Sequence, residues 1–526
     1  MSITSFEFYI FAIALLIVYF LVPRKWQWVV LLIASFGFYA TAGVKALILL
    51  ALSIIVVYLA GLQIEKINVH TKEAIHSANS IETKRSIREI ASAGRRVACV
   101  SAVIVVLGVW AVLKFGDFFV QNINAILQWL RPEKLISTPS FILPLGISFY
   151  TFHAVGYLVD VYRGKYPAER NFFRFALFVS FFPHIIQGPF SRFDALGKTL
   201  FEEHRFSYDR LCEGCRRILW GLFKKLCVAD KFGIAVEAIF TAQSPVGLQV
   251  LSGAILYSIQ IYADFSAYMD IVCGLSHIMG IELAENFNQP YFAKSIEEFW
   301  RRWHITLGQW FRDYVFYPIS MSKPAMKLSK QARQKYGAKM GKLIPSYAAL
   351  IFVWTATGLW HGANWTFVIW GWLNLAVIIF SMQFSDTYDR AKAKLHIRSE
   401  SKGWQLYRIA RTFLLVSIFR VFSRADTLSA AVGMIGKIFT NFGIASVRRH
   451  PHILFSKMEK QDMVVAALST CFILLVEILQ ETGKWESLKE KCPIIVRNVI
   501  YVGLIFMLIL FAGTAKSMEG FLYANF

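Results

Sequence analysis

Long apolar runs separated by short polar segments extend along almost the whole chain. The runs are about 15 to 20 residues long, enough to cross or nearly cross a bilayer at a rise of 1.5 Å per residue. They predict an all-α, polytopic integral membrane protein with about 11–12 transmembrane helices. The predicted crossings are roughly residues 6–22, 27–42, 46–62, 97–115, 142–162, 217–240, 248–281, 344–361, 365–384, 412–424, 462–480 and 497–514.

Two apolar segments have a different character. Residues 172–190 are interrupted by Pro183 and Gly188, which predicts a broken or re-entrant helix. Residues 297–317 carry aromatic residues on one side and charges on the other, which predicts an amphipathic helix in the membrane interface. With no internal repeat and no soluble segment, we expect one membrane domain over 1–526, with the C-terminal transmembrane helices in 412–526.

Composition supports this class, since 56% of the 526 residues are hydrophobic and only 17% are charged. The net charge of +22 could indicate nucleic-acid binding. However, the basic residues fall in short loops between apolar runs, where they set orientation in a membrane. We therefore expect contact with membrane lipid and none with nucleic acid.

Charge placement also predicts which loops are cytoplasmic. The loop 63–96 holds seven Lys or Arg against four acids, and the loops 320–343 and 385–411 hold seven Lys or Arg each. The N-terminus should then lie outside. The pair 344–361 and 365–384 must form a helical hairpin, with its turn at the sequence Gly358-Leu-Trp-His-Gly-Ala-Asn-Trp365.

An ionisable group at membrane depth is costly, so each histidine in these segments is a candidate for a functional role. A neutral histidine escapes most of that cost, so a structural role as a hydrogen-bonded core residue is the alternative in each case. His361 stands out because two glycines remove bulk around it, Trp360 supplies a wall and Asn364 a nearby amide. The histidines concerned are His153, His184, His277, His304 and His361.

Further candidate site residues lie between positions 264 and 364. His304 is on the apolar side of its predicted helix, and a core role is as plausible as a catalytic one. Asp264 and Asp270 lie six residues apart in an apolar helix, so they do not share one face. One could orient a histidine and the other could pair with an arginine of residues 301–312, or both could form structural ion pairs. Supporting roles are expected for Trp360, Asn364, Asp264, Asp270, Arg302, Arg312 and Asp313.

The chemistry that suits these residues is proton removal from a hydroxyl, which a neutral histidine performs well near physiological pH. Transfer of an activated acyl group to an alcohol needs chiefly a base, a place for the oxyanion and exclusion of water. No metal-binding or nucleotide-binding motif occurs, so we expect neither a metal nor a bound cofactor. A transporter or flippase is the competing class, because broken helices and buried polar residues also suit substrate pathways.

Several motifs taken together resemble the membrane-bound O-acyltransferase family. The resemblance covers most of residues 140–380, and it is greatest to the bacterial branch that acetylates exopolysaccharides and peptidoglycan. Teichoic-acid D-alanyl transfer proteins share the motifs. The motifs are Leu145-Gly-Ile-Ser-Phe-Tyr-Thr-Phe152, Tyr157-Leu-Val-Asp-Val-Tyr-Arg-Gly164, Phe181-Phe-Pro-His-Ile-Ile-Gln-Gly-Pro189, Glu285-Asn-Phe-Asn-Gln-Pro-Tyr291, Glu298-Phe-Trp-Arg-Arg-Trp-His304, Phe311-Arg-Asp-Tyr314 and Gly358-Leu-Trp-His361-Gly.

The resemblance implies many helices around a central channel in the bacterial inner membrane. The family's signature histidine falls on His361 and its second histidine on His304. The implied donor is a cytoplasmic thioester, either acetyl-CoA or an acyl carrier thioester. The implied acceptor is an extracytoplasmic polysaccharide or cell-wall polymer, reached through an exported acetyltransferase partner. D-alanyl transfer to teichoic acid from a carrier protein is the alternative.

Overall fold

The computed structural model describes residues 1–130, 134–137, 143–455, 457–512 and 520–522. In these residues the regular structure is helical, and the only β-type pairing is one isolated bridge. The predicted all-α class is therefore confirmed. The α-helices are α1 Phe6–Leu21, α2 Gln27–Ala40, α3 Val44–Ser77, α4 Ile81–Leu130, α5 Ile147–Tyr162, α6 Phe172–Ser180, α7 Phe182–Ile185, α8 Phe193–Leu200, α9 Tyr208–Lys224, α10 Asp230–Phe240, α11 Gly247–Ile278, α12 Ile296–Arg302, α13 Ile305–Phe311, α14 Tyr317–Ser320, α15 Lys323–Tyr336, α16 Ala338–His361, α17 Trp365–Gln383, α18 Ser385–Lys394, α19 Lys402–Arg424, α20 Leu428–Thr440, α21 Ile444–Arg449, α22 Lys460–Glu481, α23 Trp485–Lys491 and α24 Ile494–Ala512.

Short 3-10 and π segments interrupt or join some of these helices. They are the 3-10 helices Arg24–Trp26, Pro290–Phe292 and Pro451–Phe455 and the π turns Lys225–Ala229 and Arg312–Phe316. The expected crossings 142–162 and 497–514 each have one end outside the described residues. Their described parts are α5 and α24.

Within the described residues, five helices are long and apolar enough to cross a membrane, namely α3, α4, α16, α17 and α22. A sixth crossing results if the bent pair α23 and α24, which turns by 110°, is counted as one span. The chain is thus a multi-pass membrane protein. The total of about eleven or twelve crossings stays a prediction.

The described chain forms two compact units. The first contains residues 1–215 and 272–284, and the second contains residues 216–271 and 285–526. The second unit holds His304 and His361.

In the first unit, α3 and α4 form a long antiparallel hairpin. Residues 63–96, which the sequence pattern predicts as a polar loop, are helical on both sides of a short turn at 78–80. The two legs are joined where Arg95 donates a hydrogen bond to the side-chain oxygen of Asn68, at 2.9 Å. The predicted loop is wrong in its conformation, because a polar segment without proline can continue a helix beyond the apolar run.

The predicted break within residues 172–190 is present. Helix α6 ends at Ser180, and α7 is a single short turn that ends at Ile185. Gly146, at the start of α5, has a φ of +68°, and a Cβ atom there would collide with the carbonyl oxygen of Ile185. The broken helix therefore packs against a backbone turn that only glycine fits.

In the second unit, the predicted helical hairpin is confirmed. Helix α16 ends at His361 and α17 begins at Trp365, and the two legs pack along their length. Helix α19 packs on α17. Around Trp370, the aromatic residues Phe419 and Phe422 form a buried apolar cluster against which Trp300 packs.

The single amphipathic helix predicted for residues 297–317 is wrong in one respect. The segment divides into α12 and α13, and the break falls at Trp303 and His304. His304 has a φ of +48°, in the left-handed region that residues with a side chain rarely adopt. The helical spacing of aromatic residues is real, but the two halves do not share one axis.

Gly146→Ala should destabilise the first unit. The positive φ costs about 1 to 2 kcal/mol for an L-residue, and the collision with Ile185 adds to this. Thermal unfolding of the purified protein in detergent should show a lower midpoint. Gly108→Ala is the matched control, because a Cβ atom there meets nothing within 4 Å. Equal midpoints for the two variants would contradict this account.

Candidate active site

His361 is the last residue of α16, and its side chain is buried. Its ring meets the ring of Trp360 edge-on at a centroid distance of 4.8 Å, and that of Trp370 at 5.0 Å. Asn364 begins α17, where its side-chain oxygen accepts a hydrogen bond from the backbone N–H of Thr366 at 3.0 Å. That contact is an N-cap. The described contacts of Asn364 are therefore those of a residue that fixes the hairpin turn beside His361.

Glycine allows the two legs of this hairpin to touch. A Cβ atom at Gly358 would lie 2.6 Å from the carbonyl oxygen of Phe367, and one at Gly371 would lie 2.6 Å from that of Trp354. Both distances are too short for a side chain. The glycine of the Gly358-Leu-Trp-His361 motif thus sets the distance between α16 and α17, and with it the position of Trp370 beside His361.

His304 lies at the break between α12 and α13 and is almost completely buried. The break is held by the backbone of the preceding loop. The N–H of Ile305 donates to the carbonyl oxygen of Asn286, and the N–H of Asn288 donates to that of Arg302, both at 3.0 Å. Phe287 forms the isolated β-bridge with Trp303. The loop 285–291 therefore supports the strained turn that carries His304.

The side chain of Asn286 fixes the tautomer of His304. The Thr306 backbone N–H can only donate, and it lies 3.0 Å from the Asn286 Oδ1 atom. This atom also accepts from the Thr306 hydroxyl at 2.8 Å and lies 3.3 Å from the His304 Nδ1 atom. An acceptor oxygen requires a donor, so Nδ1 carries the hydrogen and the ring's lone pair is on Nε2.

The two histidines lie close together within the second unit. The ring of Trp360 contacts both, with its centroid 5.9 Å from that of His304 and 4.8 Å from that of His361. Burial, followed by the proximity of His361, lowers the pKa of His304 well below its ordinary value. His304 is therefore neutral at physiological pH.

Each histidine lines a different cavity. His304 lines a cavity of about 540 Å³, together with apolar residues of α13 and α16 and the charged residues Glu297, Arg301 and Arg312. His361 lines a smaller cavity of about 30 Å³ that also contacts Arg420. Trp300 and Trp303 line both cavities. We call these two residues the tryptophan wall.

The remaining histidines singled out in the sequence lie in the first unit. His153 is buried and hydrogen-bonded: its Nδ1 atom lies 2.8 Å from the carbonyl oxygen of Phe149, and its Nε2 atom accepts from the N–H of Ser191 at 3.1 Å. His184 stacks on it at 4.0 Å. His277 contacts Glu213 and Glu282. For His153 and His277 these contacts are those of structural residues.

Asp264 and Asp270 take part in a buried ion-pair network. Asp264 contacts the Lys225 ammonium group at 2.8 Å, and both side chains are 1% exposed. Asp270 contacts Lys224 and, at 3.1 Å, Arg217. The expected pairing of an aspartate with an arginine of residues 301–312 is therefore wrong. Asp264 pairs instead with Lys225 of the π turn 225–229, and Asp270 pairs with Lys224 and Arg217 of α9, so the alternative of structural ion pairs is the one observed.

The three charged residues of 302–313 are divided between two environments. Arg302 contacts Glu298 at 2.8 Å and Glu481 at 2.6 Å, which links α12 to the end of α22. Arg312 lines the large cavity and contacts Asp313 at 3.0 Å. Of this group, only Arg312 adjoins the space beside His304.

Sequence analysis missed two residues of this site. Asn286 was visible as a polar residue within the 285–291 motif, although nothing in the pattern relates it to His304. Arg420 interrupts the apolar run 412–424, and an ionisable residue in such a run is itself a functional signal. By this criterion Arg420 is a candidate functional residue, as the histidines are.

Comparison with known proteins shows relatives over most of the chain. The chain is 35% identical to the probable alginate O-acetylase AlgI of Azotobacter vinelandii, over 80% of this chain and 74% of that protein. It is 30% identical to the peptidoglycan O-acetyltransferase of Helicobacter pylori, over 79% of this chain and 74% of that protein. It is 29% identical to the teichoic acid D-alanyltransferase of Bacillus subtilis, over 49% of this chain and 62% of that protein. No family model matches the chain.

Asn286→Ala should destabilise the second unit, because it removes the acceptor shared by Thr306 and His304. Each lost hydrogen bond contributes about 1 kcal/mol, so a loss of about 2 to 4 kcal/mol in unfolding free energy is expected. The measurement is thermal unfolding in detergent. Asn288→Ala is the control, since that side chain is exposed and only its backbone N–H is bonded. Unchanged stability of the Asn286 variant would exclude its proposed support of the turn.

Proposed function

Because the chain belongs to the AlgI-type branch of the membrane-bound O-acyltransferase family and is an O-acyltransferase, we propose a specific transfer. It moves an acetyl group from a cytoplasmic thioester toward an extracytoplasmic polysaccharide or cell-wall polymer. The observation that carries this proposal is the pair of buried histidines on two cavities that share the tryptophan wall. A bacterial inner-membrane location follows from a cytoplasmic donor and an external acceptor.

The large cavity suits the thioester donor. Its volume of about 540 Å³ lies within the range of small-molecule sites, and most of its lining is apolar. Two arginines line this cavity, Arg301 in an ion pair with Glu297 and Arg312 in contact with Asp313, and they would contact the phosphate groups of a donor such as acetyl-CoA or the prosthetic arm of an acyl carrier protein. The donor leaves after the reaction, so no resident cofactor is required.

The reaction assigned to His361 is proton removal from the acceptor hydroxyl. As the hydroxyl oxygen bonds to the thioester carbonyl carbon, His361 takes the hydroxyl proton, and the carbon–sulfur bond then breaks. The departing sulfur takes up a proton, and His361 returns to the neutral form. His304, held by Asn286, positions the thioester from the side of the large cavity. The aromatic surroundings exclude water, which would otherwise hydrolyse the donor.

The acceptor hydroxyl would be presented from outside the cell, directly or by an exported acetyltransferase that completes transfer to the polymer. The names of the relatives include alginate, peptidoglycan and teichoic acid. Acetyl transfer is favoured by the 35% identity to the alginate protein over 80% of the chain, against 29% over 49% for the D-alanyl protein. The alternative is D-alanyl transfer from a carrier protein.

His361→Ala should abolish acetylation while membrane expression is retained, since loss of a general base costs about 10²- to 10⁴-fold in rate. The measurement is thioester turnover by purified protein in liposomes supplied with labelled acetyl-CoA. His450→Ala is the control, because His450 is exposed and lies on neither cavity. Full turnover by the His361 variant would exclude the assigned role.

The same liposomes separate an enzyme from a transporter. An O-acyltransferase releases the thiol from acetyl-CoA in a reaction that depends on His361. Uptake of the intact thioester without release of the thiol would instead support the transporter or flippase alternative.

A further inference from the structure

Arg420 is a buried cation whose charge is not balanced by an ion pair in the described chain. Its side chain lies in α19 and the residue is 4% exposed. Within the described residues no carboxylate lies within 4 Å of its guanidinium group. The two acids of the region are engaged elsewhere, since Glu237 pairs with Arg424 and Glu477 accepts from the Tyr262 hydroxyl. A buried charge without a partner is costly and is retained where it has a function.

Aromatic rings hold the guanidinium group in place. Its central carbon lies 4.4 Å from the ring centroid of Trp303, 5.6 Å from that of Tyr291 and 5.7 Å from that of Phe299. These cation–π contacts offset part of the desolvation cost. They also attach Arg420 to Trp303, which is part of the tryptophan wall and directly precedes His304.

Only one of its three nitrogen atoms bonds to protein in the described chain. The Nη1 atom donates to the Tyr291 hydroxyl and, at 3.4 Å, to the carbonyl oxygen of Ser258. The Nε and Nη2 atoms carry three further N–H donors. Arg420 and His361 line the same cavity of about 30 Å³, and none of the described residues that line it is acidic.

The size and charge of this cavity limit what it can hold. A volume of about 30 Å³ accommodates about two water-sized groups. That suits the carbonyl oxygen and methyl group of an acetyl ester. An acyl group that carries an ammonium ion would meet the positive charge of Arg420 without a carboxylate to compensate it.

We propose that Arg420 binds the carbonyl oxygen of the acyl group and restricts the enzyme to small uncharged acyl groups, acetyl rather than D-alanyl. This rests on the proposed function, which places acyl transfer at His361. When the acceptor hydroxyl adds to the carbonyl carbon, its proton passes to His361 and the carbonyl oxygen becomes an oxyanion. Arg420 stabilises that negative charge until the carbon–sulfur bond breaks and the carbonyl re-forms.

The test compares acetyl-CoA with D-alanyl-CoA as probes and measures release of the thiol by the full-length protein in liposomes. Loss of one oxyanion donor lowers kcat by about 10²- to 10³-fold. We therefore expect Arg420→Gln to lower kcat for acetyl-CoA by that factor, with less than a threefold change in KM. D-alanyl-CoA loses the same oxyanion donor but is relieved of the charge repulsion, so its turnover should fall by a factor at least tenfold smaller and the ratio of the two rates should decrease by at least tenfold.

The selectivity ratio distinguishes this role from a structural one, because a packing defect lowers both rates together. Arg424→Gln is the matched control: it makes the same substitution one helical turn further along, where the arginine pairs with Glu237. It should leave the ratio unchanged. Equal losses for both thioesters in Arg420→Gln, or a kcat within threefold of wild type, would overturn the proposal.

Arg420→Lys covers the case in which the glutamine variant does not fold. Lysine keeps the charge and the cation–π contacts but lacks the forked donors. It should lower kcat for acetyl-CoA while still rejecting D-alanyl-CoA, and acceptance of D-alanyl-CoA by this variant would overturn the proposal.

If His361→Ala is fully active, the proposed function itself is wrong, and the proposal for Arg420 fails with it. If only the Arg420 predictions fail, acyl transfer at His361 stands.

Discussion

The side-chain oxygen of Asn286 is the point on which the candidate active site depends. It accepts hydrogen bonds from the backbone and hydroxyl of Thr306 and from His304. A residue with a positive φ is unfavourable by itself, and it persists only where its surroundings fix it. Because Asn286 and the neighbouring β-bridge stabilise the break, α12 and α13 can diverge there. Trp303 and His304, the two residues at this break, line the cavities.

The two residues of the tryptophan wall contact side chains of α17 and α19. Trp300 donates a hydrogen bond to the Asn374 side chain in α17, and Trp303 stacks on the guanidinium of Arg420 in α19. Helices α12, α17 and α19 are thus tied together at one place. The wall separates the space beside His304 from the space beside His361.

The sequence was sufficient for some features because they follow from local patterns. Basic loops on both flanks predicted the hairpin whose first helix ends at His361. Pro183 with Gly188 predicted the break after Ser180. Other features depend on residues distant in the chain. The aromatic spacing of 297–317 continues across the break, so periodicity alone could not reveal it. The Lys225–Asp264 contact joins α11 to a π turn, which local propensity does not predict. The partners of Asn286 and Arg420 are likewise defined only by the folded chain.

The α3–α4 hairpin has a practical consequence. About fifteen residues of each helix extend beyond the apolar runs, which at 1.5 Å per residue is roughly 22 Å. The bond between Arg95 and Asn68 joins the two legs in this extension. Small membrane proteins rarely offer an ordered projection that survives detergent extraction. This one would serve as a fixed landmark for aligning single-particle images, or as a handle for an antibody fragment.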